Sequence, residues 1–128
     1  MSSYVLDASA LLALLQGEPG HERVLDVLQD SVVGAVNLSE VIGKLTDAGV
    51  PAAVSREALD GLALEILPFD ADLAWRAGHL RSETRSLGLS LGDRACLALA
   101  KQQDAVALTA DRAWSTLRIG VSVELIRS

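Results

Sequence analysis

Short apolar runs alternate along the chain with longer segments in which apolar residues recur every three or four positions. Short runs rich in β-branched residues predict strands, and the longer periodic segments predict helices. The predicted strands are YVL, SVVGAV, LEIL, AVALT and SVELI, and helices are predicted over 9–15, 20–29, 38–48, 52–62, 71–87 and 92–102. Because strands and helices alternate, the pattern favours an α/β fold whose parallel sheet is covered by helices.

The clearest helical pattern covers residues 71–87. Its apolar stripe consists of Leu73, Ala77, Leu80, Thr84 and Leu87. Side chains at this spacing lie on one face of a helix, so we expect this face to pack on the sheet. Trp75 lies beside the stripe and is expected to pack with it.

Composition indicates the number of domains and the cellular compartment. The chain has 128 residues, and half of them are apolar, which is enough for one domain spanning 1–128 with a substantial core. Cys96 is the only cysteine, so an internal disulfide is impossible, and we expect a buried, inert thiol in a reducing compartment. The N-terminus has no basic leader, and no segment approaches the roughly 20 apolar residues of a membrane span. We therefore expect a cytoplasmic protein without membrane contact.

The charge balance restricts the ways in which this protein could bind nucleic acid. Eleven Lys and Arg residues stand against seventeen Asp and Glu residues, giving a formal net charge of −6. Such a surface argues against broad, nonspecific binding to phosphate backbones. A nucleic-acid substrate would require local basic residues or bound metal ions.

Four acidic residues occupy related places in the predicted fold. Asp7 follows the first strand, Asp111 follows AVALT, Asp93 opens the helix before that strand, and Glu40 lies in the first turn of the helix after SVVGAV. In parallel α/β sheets, ligand sites form beyond the carboxyl ends of the strands, where the strand order reverses. We therefore expect these four carboxylates to converge.

Each acid also has a purely structural explanation. Asp7 and Asp111 could cap helices, Ser90 and Asp93 have capping-box spacing, and Glu40 precedes Lys44 at the spacing of a helical ion pair. Taken together, however, convergent carboxylates are the ligands that Mg²⁺ prefers. Such a site could orient a phosphodiester and activate water for hydrolysis.

With these residues in view, the chain resembles the PIN-domain ribonucleases, and among them the VapC-type toxins of toxin–antitoxin pairs. The resemblance extends over the whole chain through four motifs: YVLDASALLALL, NLSEV, GLSLGDRACLALA and ALTADRAW. No single motif is specific, but their order and spacing in so short a chain are distinctive. The resemblance implies a PIN-like three-layer α/β/α domain with a five-stranded parallel sheet.

The resemblance also implies an activity and its site. It implies an endoribonuclease toxin with a Mg²⁺ or Mn²⁺ site formed by Asp7, Glu40, Asp93 and Asp111. Ser9 and Thr109 match supporting hydroxyl positions, and Asn37 is expected to orient Glu40. The implied partners are a VapB-like antitoxin, an RNA substrate such as tRNA or rRNA, and a second copy of the chain in a homodimer.

Basic and aromatic residues add weaker candidates. Arg94 and Arg112 adjoin two of the acids and are the candidates for RNA contact, although Arg94 stands where similar toxins often have alanine. His21 and His79 lie on separate predicted helices without ligand spacing, so we assign them no catalytic role.

Two alternatives to the nuclease remain open. A phosphatase of the haloacid dehalogenase type also begins with a strand ending in Asp, but its mechanism needs a second Asp two positions later, where this chain has Ser9. In the other alternative the acids only cap helices, and the domain serves noncatalytic partner binding. Metal titration would separate that alternative from the nuclease.

Overall fold

Five short strands form one parallel sheet in the computed structural model, which describes residues 3–128. They are β1 (Tyr4–Leu6), β2 (Ser31–Gly34), β3 (Glu65–Leu67), β4 (Val106–Thr109) and β5 (Val123–Leu125). The strand order is β3-β2-β1-β4-β5, and every neighbouring pair is parallel. The order reverses between β1 and β4, because β2 and β3 extend the sheet on one side of β1 and β4 follows on the other. A ligand site is therefore expected beyond the carboxyl ends of β1 and β4.

Helices cover both faces of the sheet. They are α1 (Ala8–Gln16), α2 (His21–Val27), α3 (Ala35–Asp47), α4 (Ala52–Gly61), α5 (Ala71–His79), α6 (Arg81–Thr84) and α7 (Leu91–Gln103). Short 3₁₀ helices add Leu28–Asp30, Arg85–Leu87 and Arg112–Thr116. Within residues 3–128, no helix combines the length and apolar character needed to cross a membrane.

Alternation of side chains along the strands divides the core into two apolar clusters. Val5 of β1 belongs to the cluster beneath α5 and α7, whereas the next residue, Leu6, belongs to the cluster beneath α1, α2 and α3. Successive strand residues point to opposite faces, so a sheet buried on both faces needs apolar residues at consecutive positions. The prediction of a parallel α/β fold in three layers is confirmed.

The predicted strands are confirmed in number and order, with one boundary shifted by more than a single residue. The run SVVGAV was predicted as a strand, but β2 ends at Gly34, and residues 35–36 already belong to α3. The α-helix therefore begins three residues before the predicted 38, and Glu40 lies in its second turn rather than its first. A continuous apolar run alone does not distinguish a strand from a buried helix start.

The single helix predicted over 71–87 is wrong, because the segment is broken into α5, α6 and a 3₁₀ turn. The Leu80 N–H still bonds to the Arg76 carbonyl at 3.2 Å, but Leu80 belongs to neither helix, and α6 begins at Arg81. The predicted stripe is buried as far as Thr84, but Leu87 is 37% exposed. Trp75 is 69% exposed, so its predicted packing with the stripe is also wrong.

Candidate active site

Asp7 lies directly after β1, at the reversal of strand order, and its carboxylate is enclosed by hydrogen bonds. Oδ1 accepts from the Ala10 N–H at 2.8 Å and from Ser9 Oγ at 2.7 Å, and Oδ2 accepts from Thr109 Oγ1 at 2.6 Å. The bond to Ala10 makes Asp7 the N-cap of α1. The bond to Thr109 joins Asp7 to the end of β4.

The local environment makes Asp7 unusually difficult to ionise. The side chain is 4% exposed, and its burial raises its pKa from the ordinary 3.8 to about 6. The three hydrogen bonds lower the pKa but offset only part of the desolvation, and the negative charge of Asp93 raises it further. A buried anion that also faces another anion is stabilised by a nearby cation, so this environment favours a bound positive charge.

Glu40 is held by Asn37, one turn earlier on α3. Asn37 Nδ2 donates to Glu40 Oε1 at 3.0 Å and to the Gly92 carbonyl of α7 at 3.1 Å. Burial raises the pKa of Glu40, and the charge of Asp93 adds to this rise. Asn37 thus connects the Glu40 side chain to the backbone of a second helix, α7.

Gly92 is a site residue that the sequence analysis missed. A Cβ atom at this position would overlap the Glu40 carboxylate, so only glycine leaves room for that side chain against α7. The available signal was a glycine inside a predicted helix start, directly before Asp93. Glycine at such a place often marks a close approach of another group to the backbone.

Asp93 and Asp111 are both helix caps in this structure. Asp93 Oδ2 accepts from the Ser90 N–H at 2.9 Å, and Ser90 Oγ accepts from the Asp93 N–H at 3.2 Å, which completes a capping box at the start of α7. Asp111 Oδ1 accepts from the Ala113 N–H at 3.0 Å. Asp7, Asp93 and Asp111 therefore all take part in helix capping, the structural role that the sequence also allowed.

Hydrogen bonds connect the end of β4 to the rest of this arrangement. The Asp111 N–H donates to Thr109 Oγ1 at 3.0 Å, and the Ala110 N–H donates to Ser9 Oγ at 2.9 Å. Ser9 and Thr109 thus accept from the chain that leads to Asp111 and donate to Asp7. Their role as supporting residues of a functional site stays a prediction.

Asp7, Glu40 and Asp93 lie near one another but do not form a finished ligand cluster, and exposed Asp111 is connected to Asp7 through Thr109. Asp93 raises the pKa of both Asp7 and Glu40, which places these three carboxylates within electrostatic range. In the described part of the chain, no three Asp, Glu, His or Cys side chains are grouped closely enough to hold a metal ion directly. Mg²⁺ commonly binds through one or two carboxylates and retains several waters, so this hard-oxygen donor set fits such an ion.

The two arginine candidates have very different surroundings. Arg112 is exposed at the start of the 3₁₀ helix after Asp111. Arg94 is only 9% exposed, and its Nη1 donates to the Ala77 carbonyl of α5 at 2.9 Å. In this conformation the Arg94 side chain joins two helices instead of facing solvent, which argues against the predicted RNA contact.

Burial raises the pKa of the Cys96 thiol, and the nearby charges of Asp7, Asp93 and Glu40 add to this rise. Trp114 and Cys96 are buried in the core beneath α7, which confirms the expected burial of the thiol. His79 stacks edge-on against exposed Trp75 of the same helix, with ring centroids 5.4 Å apart. His21 Nδ1 donates to the Glu18 carbonyl at 2.9 Å, at the start of α2.

Comparison with known proteins identifies the family. The PIN domain model matches residues 4–119, so the chain belongs to the PIN domain family. The fold is also similar to that of toxin–antitoxin proteins. A DNA-bound VapBC from Salmonella typhimurium matches with a TM-score of 0.77 and 20% identity, covering 98% of this chain and 99% of that chain.

Two proteins from Mycobacterium tuberculosis extend the similarity. VapC20, a toxin that cleaves the sarcin–ricin loop, has a TM-score of 0.73 at 17% identity and covers 94% of this chain and 99% of that one. VapBC-5, of the VapBC family of toxin–antitoxin systems, has a TM-score of 0.64 at 25% identity and covers both chains fully, at 100% each. No curated protein sequence matches the chain. The chain therefore has the PIN fold found in VapBC toxins.

Proposed function

We propose that this protein is a Mg²⁺- or Mn²⁺-dependent endoribonuclease and the toxin of a type II toxin–antitoxin pair. The observation that carries the proposal is the placement of Asp7, Glu40, Asp93 and Asp111 around the reversal of strand order in a PIN fold. Asp7 is buried, and Asp93 repels both Asp7 and partly buried Glu40. Such carboxylates are costly for a fold unless they serve a ligand. A divalent cation is the ligand that their oxygen atoms suit best.

In this proposal the chain supplies a fixed set of acceptors. Ser9 and Thr109 hold both oxygens of Asp7, and Asn37 holds one oxygen of Glu40. Asp93 and Asp111 each have one oxygen in a cap and the other available. A divalent cation bound here supplies charge neutralisation of an RNA phosphodiester and Lewis-acid activation of water. Exposed Arg112 adds a positive charge for the backbone of a tRNA or rRNA substrate.

The proposed partner is a VapB-like antitoxin, and an apolar groove between α3 and α4 supports it. The groove has a volume of about 430 Å³, and its lining includes Leu38, Ile42, Leu59 and Ile66. Ile42 and Ile66 are each more than 40% exposed. Exposed apolar grooves of this kind suit an apolar segment of a protein partner.

We also propose a homodimer that works in the cytoplasm. Exposed Trp75 on α5 and exposed Leu91 at the start of α7 offer apolar surface apart from the α3–α4 groove. Large exposed aromatic side chains are enriched in protein interfaces. Two separate apolar surfaces accommodate two kinds of partner, a second copy and an antitoxin.

The test is RNA cleavage by purified protein that is free of antitoxin. We expect cleavage of structured RNA in Mn²⁺ or Mg²⁺, complete loss in excess EDTA, and recovery when Mn²⁺ is restored. Cleavage that continues in EDTA would exclude the metal-dependent mechanism. In cells, expression should arrest growth, and co-expression of the small gene neighbouring this one should restore it.

One observation favours the noncatalytic alternative. Asp7, Asp93 and Asp111 all cap helices, and a cap alone would account for an Asp at each place. If that is their only role, the protein binds neither Mn²⁺ nor RNA productively while still binding a protein partner. Mn²⁺ titration with the purified protein decides between the two functions.

A further inference from the structure

Arg94 is a buried cation without an adequate counter-charge. Its Nη1 donates to the Ala77 carbonyl, but its Nε is buried and has no hydrogen-bond partner in the described part of the chain. None of the ion pairs within residues 3–128 includes Arg94. A guanidinium in this state costs the folded protein free energy, and an apolar side chain of similar size is often at least as stable there. Packing alone therefore does not explain an arginine at this position.

The carbonyl that Arg94 binds lies where the helical segment 71–84 breaks. In a continuous helix the Ala77 carbonyl would accept from the N–H of residue 81, but Leu80 interrupts the helix between α5 and α6. Arg94 supplies a donor to this carbonyl from α7. A cation at the last turn of a helix is also favoured by the helix dipole. Arg94 thus joins the start of α7 to the end of α5.

A second buried hydrogen bond joins the same turn of α7 to α3. Asn37 of α3 donates to the Gly92 carbonyl at 3.1 Å. Residues 92 and 94 are therefore each bonded to a different neighbouring helix, and Asp93 lies between them. The two bonds fix the first turn of α7 relative to α3, which carries Glu40, and relative to α5.

We propose that Arg94 is a positioning residue for Asp93. With Asn37, it fixes the first turn of α7 so that the Asp93 carboxylate remains beside Glu40, a role that rests on the proposed metal site. Arg94 acts through the backbone of α7 and through α5, without contact with metal or RNA. Supporting groups of this kind typically change metal affinity by about tenfold or more when they are removed.

The test compares Arg94→Met with wild type, using exposed Arg118→Met as the matched control. Mn²⁺ affinity is measured by calorimetry, and amide hydrogen exchange at residues 93–95 is measured without metal. We expect the Mn²⁺ dissociation constant of Arg94→Met to rise about tenfold and exchange in this turn to accelerate. Arg118→Met should match wild type in both measurements. At saturating Mn²⁺, Arg94→Met should regain most of its RNA cleavage, because no ligand has been removed.

The outcomes separate this inference from the proposed function. Unchanged affinity and unchanged exchange in folded Arg94→Met would overturn the positioning role, while Mn²⁺-dependent cleavage by wild type would still support the nuclease. A wild type that binds no Mn²⁺ would overturn the metal site, and the exchange data alone would then show whether Arg94 fixes the turn. Should Arg94→Met fail to fold, Arg94→Lys keeps the charge and a donor and should show a smaller change in the same direction.

Discussion

Replacement of Asp7 by asparagine should change the pH dependence of stability in the metal-free protein. Burial raises the pKa of Asp7 from 3.8 to about 6 in the folded state. Between these values the folded state binds more protons than the unfolded state, so stability falls as the pH rises through this window. This difference in the pKa of Asp7 corresponds to roughly 3 kcal/mol. Ionisation of Asp7 above pH 6 lowers the free energy of unfolding by that amount.

Asp7→Asn carries no charge at this position and so avoids the loss of stability, but it loses the hydrogen bond from Thr109. An amide oxygen can still accept from Ala10 and Ser9, whereas the amide nitrogen would face the Thr109 hydroxyl that now donates to Asp7. Such a mismatch costs about 1 kcal/mol. We therefore expect Asp7→Asn to be about 2 kcal/mol more stable than wild type at pH 7, and about 1 kcal/mol less stable at pH 4.

The assay is urea unfolding in EDTA at several pH values between 4 and 7.5, with both proteins measured under the same conditions. Asp26→Asn, a substitution at an exposed residue of α2, serves as the matched control and should follow wild type throughout. The expected result is that the stability difference between Asp7→Asn and wild type changes sign between pH 4 and pH 7. A stability difference that stays constant from pH 4 to 7.5 would refute it, as would a less stable Asp7→Asn at pH 7.

Three further substitutions probe separate parts of the account. Gly92→Ala should weaken Mn²⁺ binding in calorimetry and RNA cleavage, because its Cβ would displace the Glu40 carboxylate. Gly43→Ala is the control, since the space around Gly43 is open, and it should leave both measurements unchanged. Trp75→Asp should convert the dimer to a monomer in light scattering without loss of helical circular dichroism; a wild type that is already monomeric contradicts the dimer proposal. Ile42→Asp should abolish antitoxin binding in a pull-down while RNA cleavage continues, and an undiminished complex would exclude the α3–α4 groove.

The fold was largely predictable because each strand is a local apolar run bounded by polar residues or glycine. The break at Leu80 was not, and the Arg94 side chain of another helix that donates to the Ala77 carbonyl there is 17 positions away in the sequence. The exposure of Trp75 likewise follows from how α5 is rotated against α7. Periodicity describes one helix at a time and carries no information on such pairings.

The candidate site was predictable in its residue types but not in its connections. A carboxylate at the end of a strand is visible in the sequence, as at Asp7. The second bond of Asn37 to Gly92 is not visible, because it joins residues 55 positions apart through backbone geometry. For the same reason sequence patterns gave Arg94 a role in RNA contact, although its side chain is buried between helices.

The central claim is that the acids form one metal site that cleaves RNA. Its most direct test measures Mn²⁺ binding and RNA cleavage side by side for wild type, Glu40→Gln and Asp93→Asn, with Asp26→Asn as the control. These substitutions remove charge with little change in shape, and the account predicts that Glu40→Gln and Asp93→Asn each lose Mn²⁺ affinity and cleavage together while Asp26→Asn keeps both. A folded Glu40→Gln or Asp93→Asn that binds Mn²⁺ and cleaves RNA as wild type does would contradict the account.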